Sequence, residues 1–386
     1  MPLGLDKKGF INFSLITLAN FFFFSNFSTF FLLPLYIKEL GGTEADIGFI
    51  MGSFGITSLG AIPFVTFLID KYGRKFFMFA GAVIMLLSSL LFLTVNELSP
   101  LLYVFRLSQG VGFALFFTSA TTSAADIVPM GKRAQGLGIF GAFTILAYSV
   151  GPTLGEFTLN NFGFDYFFLL ASSFSIVAAV LILFSRVTDF QKSAERFGLG
   201  FFRLVVSKRY SLILLTNLLL AGGLGSVLNF ISAFLKEKEL GAYNFFIVYA
   251  LTVTFVRIFG GRTSDISGRK KVASPSLIIF AISIACIVFI NSGLLAVVVS
   301  LMFSFSYGML YPVLTALVID KAGPDERGKA MGAYNACFSL GINFLAFPFG
   351  IIANNFGFNA MYLTSAFLVL ISFFIFTLYY REEKIR

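Results

Sequence analysis

One charged segment in the first half of the chain reads Asp70-Lys71-Tyr72-Gly73-Arg74-Lys75. A related segment lies 195 residues further on, about half the length of the 386-residue chain, and reads Asp265-Ile266-Ser267-Gly268-Arg269-Lys270. Both segments lie in short polar gaps between long apolar runs. A charged loop that recurs at half the chain length indicates an internal repeat, in which each half carries the same structural unit.

Two further landmarks keep almost the same spacing. Residues 160–164 and 354–358 both read Asn-Asn-Phe-Gly-Phe and are 194 residues apart. Asp126 recurs as Asp320, again at a distance of 194. Three independent landmarks at spacings of 194 or 195 residues predict a duplication. The predicted organisation is an N-terminal bundle, a cytoplasmic linker and a C-terminal bundle, in that order: 1–185, 186–210 and 211–386.

The composition is that of a membrane protein. Apolar residues make up 58% of the chain, charged residues only 12%, and there are 54 phenylalanines. A soluble core does not need so much apolar surface, whereas a run of about 20 apolar residues is what a helix needs to cross a bilayer. We therefore predict an all-α, polytopic membrane protein with twelve transmembrane helices. The predicted spans are 11–37, 47–69, 76–95, 99–128, 134–158, 166–185, 211–234, 244–262, 272–291, 294–319, 329–352 and 358–380.

The net charge of +9 raises the question of a nucleic-acid partner, and the placement of the charge argues against one. If the N-terminus faces inward, 23 of the 28 lysines and arginines fall in loops, termini and span ends on that side. The opposite loops hold only Lys38, Lys236 and Lys238. This bias is the positive-inside rule, and it predicts cytoplasmic termini and a cytoplasmic linker. The basic excess therefore reports membrane topology.

The sequence contains no residue pattern typical of an enzyme active site. The chain has no histidine, and its two cysteines, Cys286 and Cys337, lie inside predicted spans. A Cys/His metal site and a disulfide framework are therefore excluded, and there is no nucleotide-binding loop. We predict no catalytic residue, no metal and no cofactor. Without histidine, any coupling to protons must use carboxylates.

The fourth predicted span carries a resemblance to a known family. It reads Arg106-Leu107-Ser108-Gln109-Gly110-Val111-Gly112-Phe113-Ala114, which resembles the pattern Arg-x-x-Gln-Gly-x-Gly-x-Ala of the major facilitator superfamily. Residues 66–75 resemble that family's loop between spans 2 and 3, with Thr66 in place of Gly and Lys71 in place of Arg. The resemblance covers essentially the whole chain. It implies two pseudo-symmetric six-helix bundles, and a central cavity for a small-molecule substrate that opens alternately to each side. We expect a monomer surrounded by lipid in the plasma membrane of a bacterium or archaeon.

The fifth span favours export. Gly151, Pro152 and Gly155 resemble the antiporter motif of efflux members, and Glu156 stands where the motif has its last glycine. The resemblance implies secondary active efflux of a small amphipathic molecule or metabolite in exchange for protons. The alternative is an importer, a symporter or uniporter, of a small polar nutrient. Many related antiporters carry an acid in the first span, where this chain has asparagines.

Glu156 and Arg106 are the candidates for proton coupling. Glu156 is the acidic residue placed inside a span, where a carboxylate can act as a proton carrier. An arginine inside a span needs a partner or a water-filled cavity, and the family resemblance links Arg106 to proton transfer. Two alternatives stay open: Glu156 could lie solvated at the outer interface, and Arg106 could extend towards the outer interface.

The repeated charged segments are predicted to form a cytoplasmic conformational lock, because glycine permits a tight turn and Asp and Arg can pair across helix ends. Arg257 is expected to pair with the Asp265 loop. The predicted lock consists of Asp70, Gly73, Arg74, Lys75, Arg257, Asp265, Gly268 and Arg269.

Polar side chains inside spans usually face the bundle interior, so the predicted cavity lining is Asn20, Asn26, Gln109, Tyr148, Asn217, Asn229, Tyr307, Tyr311, Asn335 and Asn343. Close helix packing is predicted at Gly110, Gly112, Gly151, Pro152 and Gly155.

Overall fold

The computed structural model describes residues 2–129, 132–186, 207, 210–322 and 327–379. The long helices in this part are α1 (Lys7–Thr29), α2 (Leu33–Glu39), α3 (Glu44–Tyr72), α4 (Arg74–Leu91), α5 (Leu101–Ile127), α6 (Arg133–Phe162), α7 (Phe164–Phe184), α8 (Ser211–Glu237), α9 (Tyr243–Ser267), α10 (Arg269–Cys286), α11 (Gly293–Lys321), α12 (Arg327–Phe344) and α13 (Ala346–Tyr379). Short 3₁₀ turns cover Pro2–Gly4, Phe30–Leu32, Phe92–Thr94 and Ile287–Phe289.

The twelve-span prediction is confirmed. Within the described residues, ten helical segments are long and apolar enough to cross a membrane, and the shorter apolar helix Tyr243–Arg257 adds another. The last of the ten, Ala330–Leu378, has 49 residues, about twice the length that one crossing needs. Gly357 breaks its helical geometry with a φ of 82°, so this segment supplies the last two spans.

Four glycines break the helices at matching places in the two halves. Gly73 and Gly268 lie between consecutive helices with φ values of 88° and 94°, and Gly163 and Gly357 have 85° and 82°. These backbone angles belong to the left-handed half of conformational space, where a side chain would clash with the backbone. The repeated Asn-Asn-Phe-Gly-Phe and Asp-x-x-Gly-Arg-Lys segments therefore encode the sharp turns that separate one span from the next.

Helix packing repeats in the same way. In the first half, α1 packs against α6 and α7, and α4 packs against α5 and α7. In the second half, α8 packs against α12 and α13, and α10 packs against α11 and α13. Because the helices that pair occupy equivalent positions in chain order, the two halves share one architecture, as a duplication predicts.

The chain divides into two compact units. The first unit consists of Met1–Gly41 and Ser53–Glu195, and the second of Gly42–Gly52 and Arg196–Arg386. The first turns of α3 thus cluster in the second unit, where a Cβ on Gly48 would lie 2.8 Å from the Cα of Gly350. Residues 187–206 are outside the described part of the chain. The boundaries assigned to the linker, 186–210, stay a prediction.

Phenylalanine fills much of the interior of the first unit. The rings of Phe23 and Phe116 stack with centroids 3.9 Å apart, and Phe24, Phe27 and Phe113 pack edge-on or tilted around them. Other phenylalanines are more than 70% exposed, as expected for side chains that face lipid: Phe64, Phe184, Phe289 and Phe356. The aromatic content therefore serves both helix packing and the lipid-facing surface.

Candidate functional site

Two ion pairs hold the helix ends beside the repeated charged segments. Arg74, the first residue of α4, pairs with Asp126 near the end of α5. Its counterpart Arg269, the first residue of α10, pairs with Asp320 of α11, with Nε 2.5 Å from Oδ2. Arg133 adds a longer contact of 3.8 Å to Asp126 in the first unit. Each half therefore ties the start of one span to the end of the next by the same pair of residue types.

Lys75 has a different role from its neighbour. Its Nζ donates to the carbonyl oxygens of Leu183 at 2.8 Å and Ser185 at 2.7 Å, at the C-terminus of α7. A cation there interacts favourably with the unpaired carbonyls and the negative end of the helix dipole. The contact ties α4 to α7 at the end of the first unit.

The predicted lock has two acidic members, Asp70 and Asp265. The side chains of Asp70 and Asp265 lie outside the described residues, so their part in a lock stays a prediction. The described carboxylate partners of Arg74 and Arg269 are instead Asp126 and Asp320. The sequence showed that Asp126 recurs as Asp320 but did not assign their partners, although their spacing of 194 residues is within one of the 195 that separate Arg74 from Arg269.

Arg106 is enclosed within the first unit. Only 3% of it is exposed, and its Nη1 donates to Oε1 of Gln109, one turn further along α5, at 2.8 Å. Its Cζ lies 4.9 Å from the ring centroid of Phe54 and 5.9 Å from that of Phe30. The guanidinium therefore turns inward to an amide and two aromatic rings, and the alternative in which it extends to the interface is wrong.

Glu156 is buried as well. It lies on α6 and is 5% exposed, which rules out the alternative of a solvated carboxylate at the outer interface. Its chain neighbour Gly155 packs closely, since a Cβ there would lie 3.1 Å from side-chain atoms of Phe167 and Thr29. The roles of Glu156 and Arg106 in proton coupling stay predictions.

The motif glycines mark close helix crossings. A Cβ on Gly151 would collide with Ser28 and the α1 backbone, including the Thr29 nitrogen at 2.7 Å. One on Gly110 would collide with Thr57 and the Phe54 carbonyl of α3. Gly112 faces the other way: a Cβ added there would lie 2.9 Å from the carbonyl oxygen of Gly81 in α4. Pro152 lies inside α6, directly after the α1 crossing. The antiporter-like pattern thus packs α6 onto α1, and the span-4 pattern packs α5 between α3 and α4.

Several predicted cavity residues bridge helices instead. Asn26 donates to Ser89 Oγ at 3.0 Å and the Ala171 carbonyl at 2.6 Å. Similar bonds run from Asn20 to Thr144 (2.7 Å), from Asn217 to the Tyr334 carbonyl (2.8 Å) and from Asn229 to the Ile342 carbonyl (3.1 Å). Asn20, Asn26, Asn217 and Gln109 have no exposed surface, so for them the cavity-lining interpretation is wrong in this structure. The side-chain amide of each asparagine donates to a neighbouring helix and so ties two helices together.

The remaining predicted cavity residues are more varied. Asn343 donates to the Ser339 carbonyl of its own helix at 3.0 Å, and Asn335 is exposed. Tyr148 is half-buried among the phenylalanines of the first unit, with its ring 5.3 Å from that of Phe31. None of these contacts by itself indicates a ligand site.

Arg257, Tyr307 and Tyr311 come together in the second unit. Arg257 Nη2 donates to the Tyr307 hydroxyl at 3.3 Å, and the guanidinium Cζ lies 4.3 Å from the ring centroid of Tyr311. The expected partner of Arg257 was the Asp265 loop, but its described partners are these two tyrosines. The signal in the sequence was the spacing of four between the tyrosines, which places them on one helix face.

Comparison with known proteins decides the family. A family model described as "Major Facilitator Superfamily" matches residues 13–255 and 238–386, which is almost the entire chain. The chain belongs to this superfamily. Its members are transporters of small molecules and not enzymes, and the described part of the chain has no group of three or more His, Cys, Asp or Glu residues that could hold a metal ion. The chain is accordingly an integral membrane transporter.

Similar proteins include efflux pumps. "Multidrug resistance protein 2" of Bacillus subtilis is 25% identical over 377 residues, which cover 92% of this chain and 90% of that protein. The "Multi-drug resistance efflux pump PmrA" of Streptococcus pneumoniae is 27% identical over 361 residues, 88% of each chain. A crystal structure of a mutant nucleoside transporter NupG superposes with a TM-score of 0.81 at 15% identity, covering 96% of this chain and all of the other. That likeness shows the fold alone.

Proposed function

We propose that this transporter is a secondary active exporter of small amphipathic molecules that works by alternating access. The observation that carries the proposal is the crossing of α6 and α1 at Gly151 and Gly155, which gives the antiporter-like motif a structural role in this chain. Similarity to two multidrug efflux proteins along about nine-tenths of the chain supports the same direction of transport.

Protons are the proposed coupling ions. Glu156 and Arg106 lie inside spans of the first unit and are 5% and 3% exposed. Ionisable groups are costly inside a membrane bundle, and those that occur there commonly belong to ion or proton pathways. Glu156 is the proposed proton carrier, and Arg106 is proposed to take part in the proton transfer.

The proposed location is the plasma membrane of a bacterium or archaeon, with both termini and the linker in the cytoplasm. The strong bias of lysine and arginine towards one set of loops supports this orientation. The bacterial sources of the two efflux relatives support the choice of membrane.

Transport into everted membrane vesicles tests the direction. Everted vesicles with an acidic lumen should accumulate an amphipathic dye in the presence of the chain, and nigericin, which collapses the pH gradient, should abolish this uptake. Vesicles without the chain are the control. Accumulation of a polar nutrient by right-side-out vesicles, without dye uptake by everted ones, would instead support the importer.

A further inference from the structure

Two tyrosine rings support the guanidinium of Arg257. Its Cζ lies 4.3 Å from the ring centroid of Tyr311 and 5.5 Å from that of Tyr307. The tyrosines are neighbours on α11, with their ring centroids 6.3 Å apart, and the ring of Tyr249 stacks on that of Tyr307 with centroids 6.2 Å apart. The arginine therefore belongs to an ordered aromatic cluster within the second unit.

The cluster lies inside two predicted spans. Arg257 comes five residues before the predicted end of its span at residue 262, and Tyr311 comes eight residues before the predicted end of its span at residue 319. Five and eight residues of α-helix are about 7.5 and 12 Å long, so the span prediction puts both residues within a hydrocarbon core about 30 Å thick. Arg257 is nevertheless only half-buried within the protein. A charge at this depth is expected to face a water-filled interior.

No carboxylate in the described part of the chain neutralises Arg257. The described ion pairs use Arg74, Arg133 and Arg269. A cation within a span that lacks a carboxylate partner among the described residues is poised to take its counter-charge from a ligand.

The hydrogen bonding of Arg257 is also incomplete. Its bond to the Tyr307 hydroxyl is long, at 3.3 Å, and its Nε has no hydrogen-bond partner within the described residues. The Nε of Arg106 is likewise buried without a hydrogen-bond partner within the described residues, but Arg106 as a whole is only 3% exposed, whereas Arg257 is half-buried. Of these two arginines, Arg257 is the one with accessible surface for a ligand.

We propose that Arg257, Tyr307 and Tyr311 form an anion-binding subsite, so that amphipathic organic anions are among the molecules this protein carries. A guanidinium presents a planar set of donors to a carboxylate, sulfonate or phosphate group. The partly exposed ring of Tyr311 supplies an apolar surface for the body of the same molecule, whereas Tyr307, which is 5% exposed, positions the guanidinium from within the bundle. This inference rests on the proposed function and names a substrate class for it.

A pair of probes with one fluorophore and opposite charge tests the subsite. Binding of dansylglycine, an anion, and dansylcadaverine, a cation, is measured by fluorescence titration of the full chain in lipid nanodiscs. Replacing Arg257 by glutamine should raise the Kd of dansylglycine by about tenfold or more, as expected for loss of a charge-assisted hydrogen bond. The Kd of dansylcadaverine should change less than about twofold, because it carries no anionic group for the arginine.

Three further variants separate recognition from folding. Arg257→Lys should weaken dansylglycine binding less than Arg257→Gln, since it keeps the charge but loses the planar donors. Tyr311→Leu should weaken it through loss of the ring, and Lys236→Gln, which removes an exposed cation outside the cluster, should leave both Kd values unchanged. These variants decide the question if Arg257→Gln does not fold.

Several results would overturn the subsite. They are equal weakening of both probes by the Arg257 variants, unchanged dansylglycine binding in those variants, and no dansylglycine binding by the wild type. Any of these with dye export intact leaves the exporter proposal standing. Selective anion binding without export would instead remove the exporter proposal and keep the subsite.

Discussion

Replacing Gly151 by alanine should destabilise the first unit, because the new methyl group has no room. Its Cβ would lie 2.7 Å from the Thr29 nitrogen and collide with Ser25 and Ser28 of α1. Backbone atoms cannot move aside without shifting a whole helix. Gly141 lies on the same helix ten residues earlier, and a Cβ there would meet nothing within 4 Å. Gly141→Ala is therefore the matched control.

The two substitutions share the same gain in helix propensity, so their difference isolates the collision. Overpacking a close contact costs about 1–3 kcal/mol. For a unit of this size that corresponds to a melting temperature about 2–12 °C lower for Gly151→Ala than for Gly141→Ala. Gly155→Ala should fall between the two, because its neighbours are side-chain atoms at 3.1 Å or more, which can rotate away.

Thermal unfolding of the three variants in one detergent, at one scan rate, measures the order. Fixed conditions matter because membrane proteins often unfold irreversibly and their melting temperature then depends on the scan rate. Equal melting temperatures for Gly151→Ala and Gly141→Ala would show that α6 and α1 do not approach as closely as the structure has them. A lower value for Gly141→Ala would contradict the reasoning outright.

Three further predictions concern topology, the ion pairs and coupling. In a cysteine-free background, a membrane-impermeant thiol reagent applied from outside should label Asn96→Cys and leave Ser193→Cys unlabelled; the reverse pattern would overturn the positive-inside assignment. Arg74→Asp and Asp126→Arg should each slow transport at normal expression, and the double exchange should restore part of the rate, since it re-forms the pair; additive losses would argue against a functional pair. Glu156→Gln should abolish gradient-driven uptake into everted vesicles but retain dye binding, and an unchanged dependence of transport on pH would place the coupling acid elsewhere.

The number and type of the spans could be predicted from the sequence because both depend on local properties. A run of about 20 apolar residues is long enough to cross a bilayer whichever helices surround it, and the breaks at Gly73 and Gly268 need a backbone geometry that glycine adopts most readily. Because the repeated segments are 194 or 195 residues apart, the spans and breaks of one half also predict those of the other half. The family resemblance rested on such short motifs, and the match to residues 13–255 and 238–386 confirmed it.

The partners of individual side chains could be read only from the tertiary structure. Arg74 meets Asp126, 52 residues away, and Asn26 meets the Ala171 carbonyl, 145 residues away. Such contacts depend on how each helix is rotated about its axis and which helix lies beside it, and a span that is apolar all round has little sequence signal for either. For that reason the buried asparagines looked like cavity lining, and Arg257 was expected at the loop instead of on its two tyrosines. Hydrophobicity and the positions of glycines are properties of the sequence itself, whereas the burial and the partners of a side chain are decided only when the helices pack.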